Sequence, residues 1–159
     1  MTNDTLGDTA LSRLQALGYA LPQLPPPGKA KYAEYQRLDA SIYVAGQLPT
    51  LDGHLPEQGL LGRDVDLDAG RRLARIAAVN CLAVAAAAAG GLDRVRLVQM
   101  LVFVASTPEF GDQSGVADAA SSLLLDVLGP NGEHARTAIG VASLPRNSPV
   151  EIQMICTSA

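Results

Sequence analysis

The feature that most constrains the fold is a long alanine-rich segment followed directly by an apolar, β-branched one. Between Leu67 and Ala89 the apolar residues recur at helical spacing, Asp66 is placed to cap the first turn, and Gly90-Gly91 ends the pattern. Residues 94–105 are almost entirely apolar after Arg96, which is typical of a strand buried on both faces. These two segments predict a long helix whose small alanine face packs closely against a broad sheet.

The rest of the chain predicts a second helix and four further strands. The second helix is expected over residues 115–128, ended by Gly129-Pro130. The strands are expected at residues 31–38, 41–48, 136–143 and 150–157. The order β-β-α-β-α-β-β predicts an α+β fold with a single mixed β-sheet and two helices packed on one face. The other sheet face would lack cover within the chain, and a partner subunit is the economical cover.

The first 30 residues are expected to form an appendage to this fold. Residues 8–18 have the pattern of a short amphipathic helix, and four prolines follow between Pro22 and Pro27. So many prolines forbid a helix or a central strand, so the segment is interpreted as a stiff connector. We therefore divide the chain into an N-terminal helix and proline-rich connector, residues 1–30, and a main domain, residues 31–159.

The composition argues against several classes of partner. Twelve Lys and Arg residues against 16 Asp and Glu give a net charge of −4, and Trp is absent. Nucleic-acid interfaces normally carry a basic patch with stacking aromatics, so we expect no nucleic-acid partner. The start of the chain lacks the apolar stretch of a signal peptide, and the longest uncharged stretch is a poor membrane span. We expect a cytoplasmic protein with no membrane partner.

Two cysteines and two histidines are the soft metal ligands of the chain. Cys81, Cys156, His54 and His134 show neither C-x-x-C nor H-x-x-x-H spacing, so no metal site is expected. Both cysteines fall in apolar patterns typical of buried, reduced thiols. His134 could serve as a base, although capping and interface roles are more common for a histidine at the start of a strand.

Three segments resemble the RidA/YjgF family, which comprises trimeric enamine/imine deaminases with a chorismate-mutase-like fold. The segments are Ala-Gly-Gln-Leu-Pro at residues 45–49, residues 134–145, and Val-Glu-Ile at residues 150–152. The most specific signal is an arginine followed eight residues later by Leu-Pro and then by a Val-Glu pair. Arg136, Leu144-Pro145 and Val150-Glu151 keep that register without a gap. The resemblance covers residues 31–157 and implies a homotrimer that acts on a small carboxylate substrate without a cofactor.

The resemblance also implies roles for six residues. Arg136 would bind the carboxylate of a 2-imino acid, and Glu151 would orient the attacking water. The implied substrate-binding residues are Tyr32, Gly46, Ala138 and Ser114. The residue types suit this chemistry, because a guanidinium fork matches a carboxylate with two parallel hydrogen bonds. A carboxylate can in turn hold a water and move its protons.

Several positions depart from the family's pattern. Thr137 stands where Ser is usual, Ala138 where Cys is common, Ala45 where Ser often occurs, and Ser114 where Asn can contact the substrate. The losses at Ala45 and Ser114 leave open a second hypothesis, a catalytically silent trimer that binds a small carboxylate in the same cleft. Chorismate mutase activity rests on the shared fold alone and is the weaker hypothesis. A ribonuclease activity finds no support in the charge or aromatic content.

Arg136 and Glu151 are expected to lie too far apart to act within one chain. They begin two strands that should run antiparallel, so their separation would be of order 20 Å at about 3.3 Å per residue. A shared site would then lie between subunits, with Arg136 from one and with Glu151 and Tyr32 from its neighbour. The alternative for Arg136 is an exposed arginine paired with an acid such as Glu133. Glu151 and Tyr32 could likewise be ordinary strand residues.

Overall fold

The computed structural model describes residues 8–26, 28 and 30–158. From residue 35 onward the main elements follow the predicted order β-β-α-β-α-β-β, and one short helix precedes them. The elements are α1 (Ala10–Ala16), β1 (Tyr35–Leu38), β2 (Ser41–Gln47), α2 (Leu67–Ala89), β3 (Val95–Ala105), α3 (Gln113–Leu128), β4 (Ala135–Val141) and β5 (Val150–Ser158). The predicted α+β class is confirmed.

The five strands form one mixed sheet in the order β1-β2-β5-β3-β4. Only β3 and β4, which α3 connects, pair in parallel; the other three pairs are antiparallel. The hairpin of β1 and β2 turns at Asp39-Ala40 as predicted. β5 does not form a hairpin with β4. It inserts between β2 and β3, so that both gain an antiparallel neighbour.

Helix α2 is the core helix of the domain. It begins after Asp66, whose carboxylate accepts a hydrogen bond from the Ala69 N–H at 2.8 Å, and it ends at Gly90 with φ of 81°. By length and composition α2 could cross a membrane, but 72% of its apolar window is buried inside the fold. Such burial is typical of the central helix of a globular protein. Its alanines pack on the sheet and against α3.

Helix α1 packs on the same core. Ala10 and Leu14 are buried within the hydrophobic cluster that contains α2, α3 and the sheet. The Ala10 N–H donates to Asp93 Oδ1 at 2.7 Å, and Arg13 Nε donates to the Val127 carbonyl at 2.8 Å. The helix is therefore docked on the domain by both apolar and polar contacts. The division of the chain at residue 30 stays a prediction.

The sheet face opposite α2 and α3, which we call the open face, is only partly covered within the chain. Leu101 and Phe103 of β3 lie on it and are half-buried, whereas the alternate residues of β3 are fully buried beneath the helices. Tyr43 and Ile139 on this face are 42% and 43% exposed. The helices cover one face of β3 only, so this face lacks full cover within the chain, as expected, and burial of β3 on both faces would need a second subunit. A covering partner stays a prediction.

Candidate functional site

Glu151 and Gly46 lie against each other on the open face. Glu151 is the second residue of β5 and pairs with Phe103 of β3. On its other side the register between β2 and β5 shifts between Val44 and Gln47, which brings Gly46 over the carboxyl group. A Cβ atom on Gly46 would overlap Oε1 of Glu151. The glycine therefore provides the space that the carboxylate occupies, as close-packed glycines near strand ends commonly do.

The environment of Glu151 suits proton transfer. Within the described part of the chain no group donates a hydrogen bond to its carboxylate. Burial of the half-exposed side chain raises the pKa of Glu151 above its usual value of 4.5. Desolvation disfavours the ionised form, so the group holds a proton more readily than a solvated glutamate does. Its oxygens are free to bind a water and to accept or return a proton.

The last residues of β2 are hydrogen-bonded to the segment that precedes β1. The Ala45 N–H donates to the Glu34 carbonyl at 2.8 Å, and Gln47 Nε2 donates to the Glu34 carboxylate at 3.1 Å. Tyr32 precedes this segment and lies outside β1, which corrects the expectation of a tyrosine within the first strand. Its side chain is 67% exposed. It lines a cavity of about 720 Å³ between the proline-rich connector and the start of β1.

Arg136 lies on the other side of the sheet. It pairs with the buried Met100 of β3, so its side chain points toward α3. Nη1 of Arg136 donates to Asp118 Oδ1 at 2.7 Å and to Ser121 Oγ at 3.2 Å. The alternative interpretation paired Arg136 with a nearby acid and named Glu133 as an example; the acid that pairs with it is Asp118 on the neighbouring helix.

His134 extends this group of side chains. Its Nδ1 lies 2.6 Å from the Gly132 carbonyl, and its Nε2 lies 3.0 Å from Ser121 Oγ. Since a carbonyl can only accept, Nδ1 carries a proton, and in the tautomer that has no proton on Nε2 this nitrogen accepts from the Ser121 hydroxyl. Ser121, His134 and Arg136 line a shallow, open surface depression of about 350 Å³ together with Leu125 and Glu133.

The two remaining predicted residues, Ala138 and Ser114, lie on β4 and α3, the elements that also carry Arg136 and its partners. Ala138 follows Arg136 on the same side of β4 and packs partly buried against the core. Ser114 is exposed in the first turn of α3, near the Asp112 cap. Arg136 and Ala138 thus lie on the side of the sheet that carries α3, whereas Gly46 and Glu151 lie on the open face. The predicted residues form two half-sites that one chain does not bring together.

The expected separation of Arg136 and Glu151 by the length of the sheet is wrong. Arg136 pairs with Met100 and Glu151 with Phe103, so the two are offset by three residues along β3, about 10 Å, and by two strand spacings across the sheet, about another 10 Å, which puts their backbones about 14 Å apart. The reason is that β4 begins beside the middle of β3, not at its start. The two side chains nevertheless do not converge, because they point to opposite faces.

The sequence interpretation missed Asp118 and Ser121, the partners of Arg136. Both lie on the predicted second helix, three residues apart, and residues at this spacing share a helix face. That spacing was the available signal. Their contact with Arg136 depends on how α3 crosses β4, which no local pattern encodes.

The two cysteines are buried free thiols, as predicted. Cys81 Sγ donates to the Ile152 carbonyl at 3.3 Å. Burial raises the pKa of Cys156 to about 12 and that of Cys81 well above its usual value. A catalytic thiolate is therefore disfavoured at either position. Across residues 8–26, 28 and 30–158, no three His, Cys, Asp or Glu side chains are grouped to hold a metal ion.

The chain is similar to several known proteins in sequence and in fold. A family model described as "YjgF/chorismate mutase-like, putative endoribonuclease" matches residues 11–157. Protein TCP17 of Trypanosoma cruzi is 40% identical over 146 residues, which is 91% of each chain. The crystal structure of Atu1372, a protein of unknown function from Agrobacterium tumefaciens, is 41% identical with a TM-score of 0.87, over 95% of this chain and 92% of that one. A structure described as a putative endoribonuclease from Shewanella oneidensis MR-1 is 29% identical with a TM-score of 0.88, over 94% and 99% of the two chains.

Proposed function

The chain belongs to the YjgF/chorismate mutase-like family, and from this premise we propose that it is an enamine/imine deaminase. It hydrolyses reactive 2-imino acids to 2-keto acids and ammonia. In this proposal the protein is a cytoplasmic homotrimer, and neither a metal nor an organic cofactor takes part. Each site combines Arg136 of one subunit with Glu151, Gly46 and Tyr32 of its neighbour.

One observation carries the proposal: a carboxylate-binding cation and an unpartnered carboxylate lie on opposite sides of one thin sheet. Arg136 faces the side of α3, and Glu151 faces the open side. A single copy cannot close both on a small molecule. If the open face of one copy packs against the β4 edge of the next, the two half-sites come together. An assembly of identical subunits can repeat this contact around a symmetry axis.

The proposed reaction needs positioning and proton transfer more than strong activation, because an imine is already electrophilic. Arg136 binds the carboxylate and fixes the imine carbon. Glu151 accepts a proton from water as the oxygen attacks that carbon, and the resulting carbinolamine holds the new C–O bond. Glu151 gives this proton to the nitrogen, which becomes the amino group of the carbinolamine. It then takes the proton of the new hydroxyl as the C=O bond forms and passes it to that nitrogen, so that the C–N bond breaks and ammonia and the keto acid leave. The raised pKa of Glu151 suits a group that both takes and gives a proton.

A second candidate is a catalytically silent trimer that binds a small carboxylate in the same cleft. Ala45 and Ser114 favour it, because they stand where the family's pattern has a serine hydroxyl and an asparagine amide that could contact the substrate. Ala138 packs against the core and offers no side-chain hydrogen-bonding group toward the cleft. A ribonuclease activity is the third possibility suggested by the family description, but a chain of net charge −4 is poorly suited to bind a polyanion.

A deaminase assay with imines generated by an amino acid oxidase tests the proposal. We expect the wild type to accelerate keto-acid release and Arg136→Ala to reduce turnover at least about a hundredfold, because the charged hydrogen bonds to the substrate are lost. Arg72→Ala is the matched control, since Arg72 also forms an exposed ion pair, with Glu57 at 3.2 Å. Wild-type activity in Arg136→Ala would remove the mechanism. No acceleration by the wild type, together with Arg136-dependent binding of pyruvate, would favour the silent binder.

A further inference from the structure

We infer that Ser121 and His134 are positioning residues for Arg136, and that they determine which edge of its guanidinium receives the substrate carboxylate. The inference rests on the proposed role of Arg136 as the carboxylate anchor. It goes beyond that role by assigning a task to two side chains that would not themselves touch the reacting atoms. It also predicts the direction from which the carboxylate approaches.

The first step is a count of the donors on Arg136. Nη1 carries two N–H groups, and Asp118 Oδ1 and Ser121 Oγ accept from them at 2.7 and 3.2 Å. Within the described part of the chain, Nε and Nη2 have no hydrogen-bond partner. A carboxylate can meet a guanidinium end-on, through Nη1 and Nη2, or side-on, through Nη2 and Nε. Because Nη1 is saturated, the side-on edge remains for a bidentate ligand.

The second step is the orientation of the Ser121 hydroxyl. A serine within a helix usually returns its hydroxyl to a carbonyl of its own preceding turn. Here Ser121 Oγ lies 3.0 Å from His134 Nε2, and Nδ1 of the same ring donates to the Gly132 carbonyl at 2.6 Å, so in the tautomer with its proton on Nδ1 the Ser121 hydroxyl donates to Nε2. The Ser121 oxygen lone pairs are therefore left for Nη1 of Arg136. His134 fixes Ser121, and Ser121 fixes one of the two Nη1 protons.

The third step is burial. The Arg136 side chain is 23% exposed, whereas that of Asp118 is 67% exposed. An exposed ion pair holds a guanidinium only loosely, because water competes for both partners. Ser121 is half-buried and provides the second, less solvated contact. The two acceptors together determine the rotation of the guanidinium plane, and the adjoining shallow depression of about 350 Å³ leaves the other edge accessible to a small acid.

Binding of pyruvate to the full-length protein, measured by calorimetry, tests the inference without requiring turnover. We expect Ser121→Ala to weaken binding about tenfold, the scale of a hydrogen bond to a charged group, and Ser121→Thr to restore most of the loss. Arg136→Lys should bind at least about tenfold more weakly than the wild type, since an ammonium keeps the charge but has no side-on edge. Ser122→Ala, at the exposed serine next in the chain, should bind like the wild type.

Thermal unfolding of each variant separates positioning from loss of structure. If Ser121→Ala does not fold, His134→Ala takes its place, with an expected weakening of about threefold from the freed hydroxyl. Unchanged affinity in a folded Ser121→Ala, or no pyruvate binding by the wild type, overturns the inference. If the variants show the expected pyruvate affinities but the wild type hydrolyses no imine, the inference is supported and the deaminase proposal is wrong. If turnover depends on Arg136 but Ser121→Ala binds pyruvate as tightly as the wild type, the deaminase proposal is supported and the inference is wrong.

Discussion

Gly46 and Glu151 occupy one space on the open face: the carboxylate of Glu151 lies where a side chain at position 46 would begin. The contact depends on the irregular pairing of β2 and β5 between Val44 and Gln47, which lets Gly46 face its neighbour on β5. Because Gly46 has no side chain, Glu151 is only half-buried and its oxygens stay accessible. The position of the Glu151 carboxylate thus depends on residue 46 having no Cβ atom.

Gly46→Ala should displace the carboxylate without unfolding the protein. The added Cβ would overlap Oε1, the far end of a flexible side chain, so Glu151 can rotate away at little cost to stability. A displacement of about 1 Å at a catalytic group can reduce turnover about a hundredfold. We expect a loss of that order in the imine assay with a melting temperature near that of the wild type.

Gly111→Ala is the matched control for this variant. Nothing lies within 4 Å of a Cβ at Gly111, and its φ lies outside the left-handed region. Its turnover should therefore equal that of the wild type. Equal turnover in Gly46→Ala would show that the position of Glu151 is not critical to the reaction.

The pH profile of turnover should show an acid limb due to Glu151. The group must be ionised to accept a proton from water, so kcat/KM falls as the pH drops through its pKa. Burial raises that pKa above 4.5, so the limb should lie on the alkaline side of this value. Spontaneous hydrolysis is subtracted at each pH, and Glu151→Gln should show only a low, flat rate. A wild-type rate that stays constant down to pH 4.5 would contradict the assignment.

Local sequence patterns predicted the elements of the fold well. The capping carboxylate of Asp66 and the glycines after Ala89 gave the bounds of α2, because both ends of that helix are determined by residues adjacent in sequence. The order of elements was likewise correct. The position of β5 was not predicted, since its alternating pattern fits an antiparallel partner on either side and does not name β2 or β3.

The site residues named from the sequence stay a prediction, and their contacts could not be predicted from it. The register of Arg136 with Glu151 identified both positions, yet the pairing of Arg136 with Asp118 depends on the crossing of α3 over β4. The distance estimate for Arg136 and Glu151 failed for a related reason. The estimate assumed that every strand begins at an end of the sheet. In the structure β4 begins beside the middle of β3, which has 11 residues.

Both thiols should be unreactive in the native protein. Cys81 and Cys156 are buried, and burial raises the pKa of Cys156 to about 12, so little thiolate is present at pH 8. A colorimetric disulfide reagent should detect no thiol in the folded state and two per chain after unfolding in guanidinium chloride. Rapid reaction of either cysteine in the native state would contradict the burial of that residue.

Ile139→Asp should dissociate the proposed trimer. Ile139, Phe103 and Glu151 form one row across the open face, and Ile139 is 43% exposed. A buried, unpaired charge at a subunit interface is costly, whereas the same charge on a free surface costs little. Sedimentation should therefore give a smaller, folded species. The control is Leu11→Asp on α1, where the leucine is 41% exposed on a different surface. A trimer that survives Ile139→Asp would place the interface elsewhere.

Mixing two inactive variants should restore activity if each site is shared. Arg136→Ala subunits keep a normal Glu151, and Glu151→Gln subunits keep a normal Arg136. In a trimer reassembled from equal amounts, a given site takes its arginine and its glutamate from different subunits, so about a quarter of the sites are intact, one half times one half. Turnover should therefore recover to about a quarter of the wild-type value after mixed refolding and stay near zero for either variant refolded alone. A site built within one subunit could not recover, because no subunit in the mixture carries both residues.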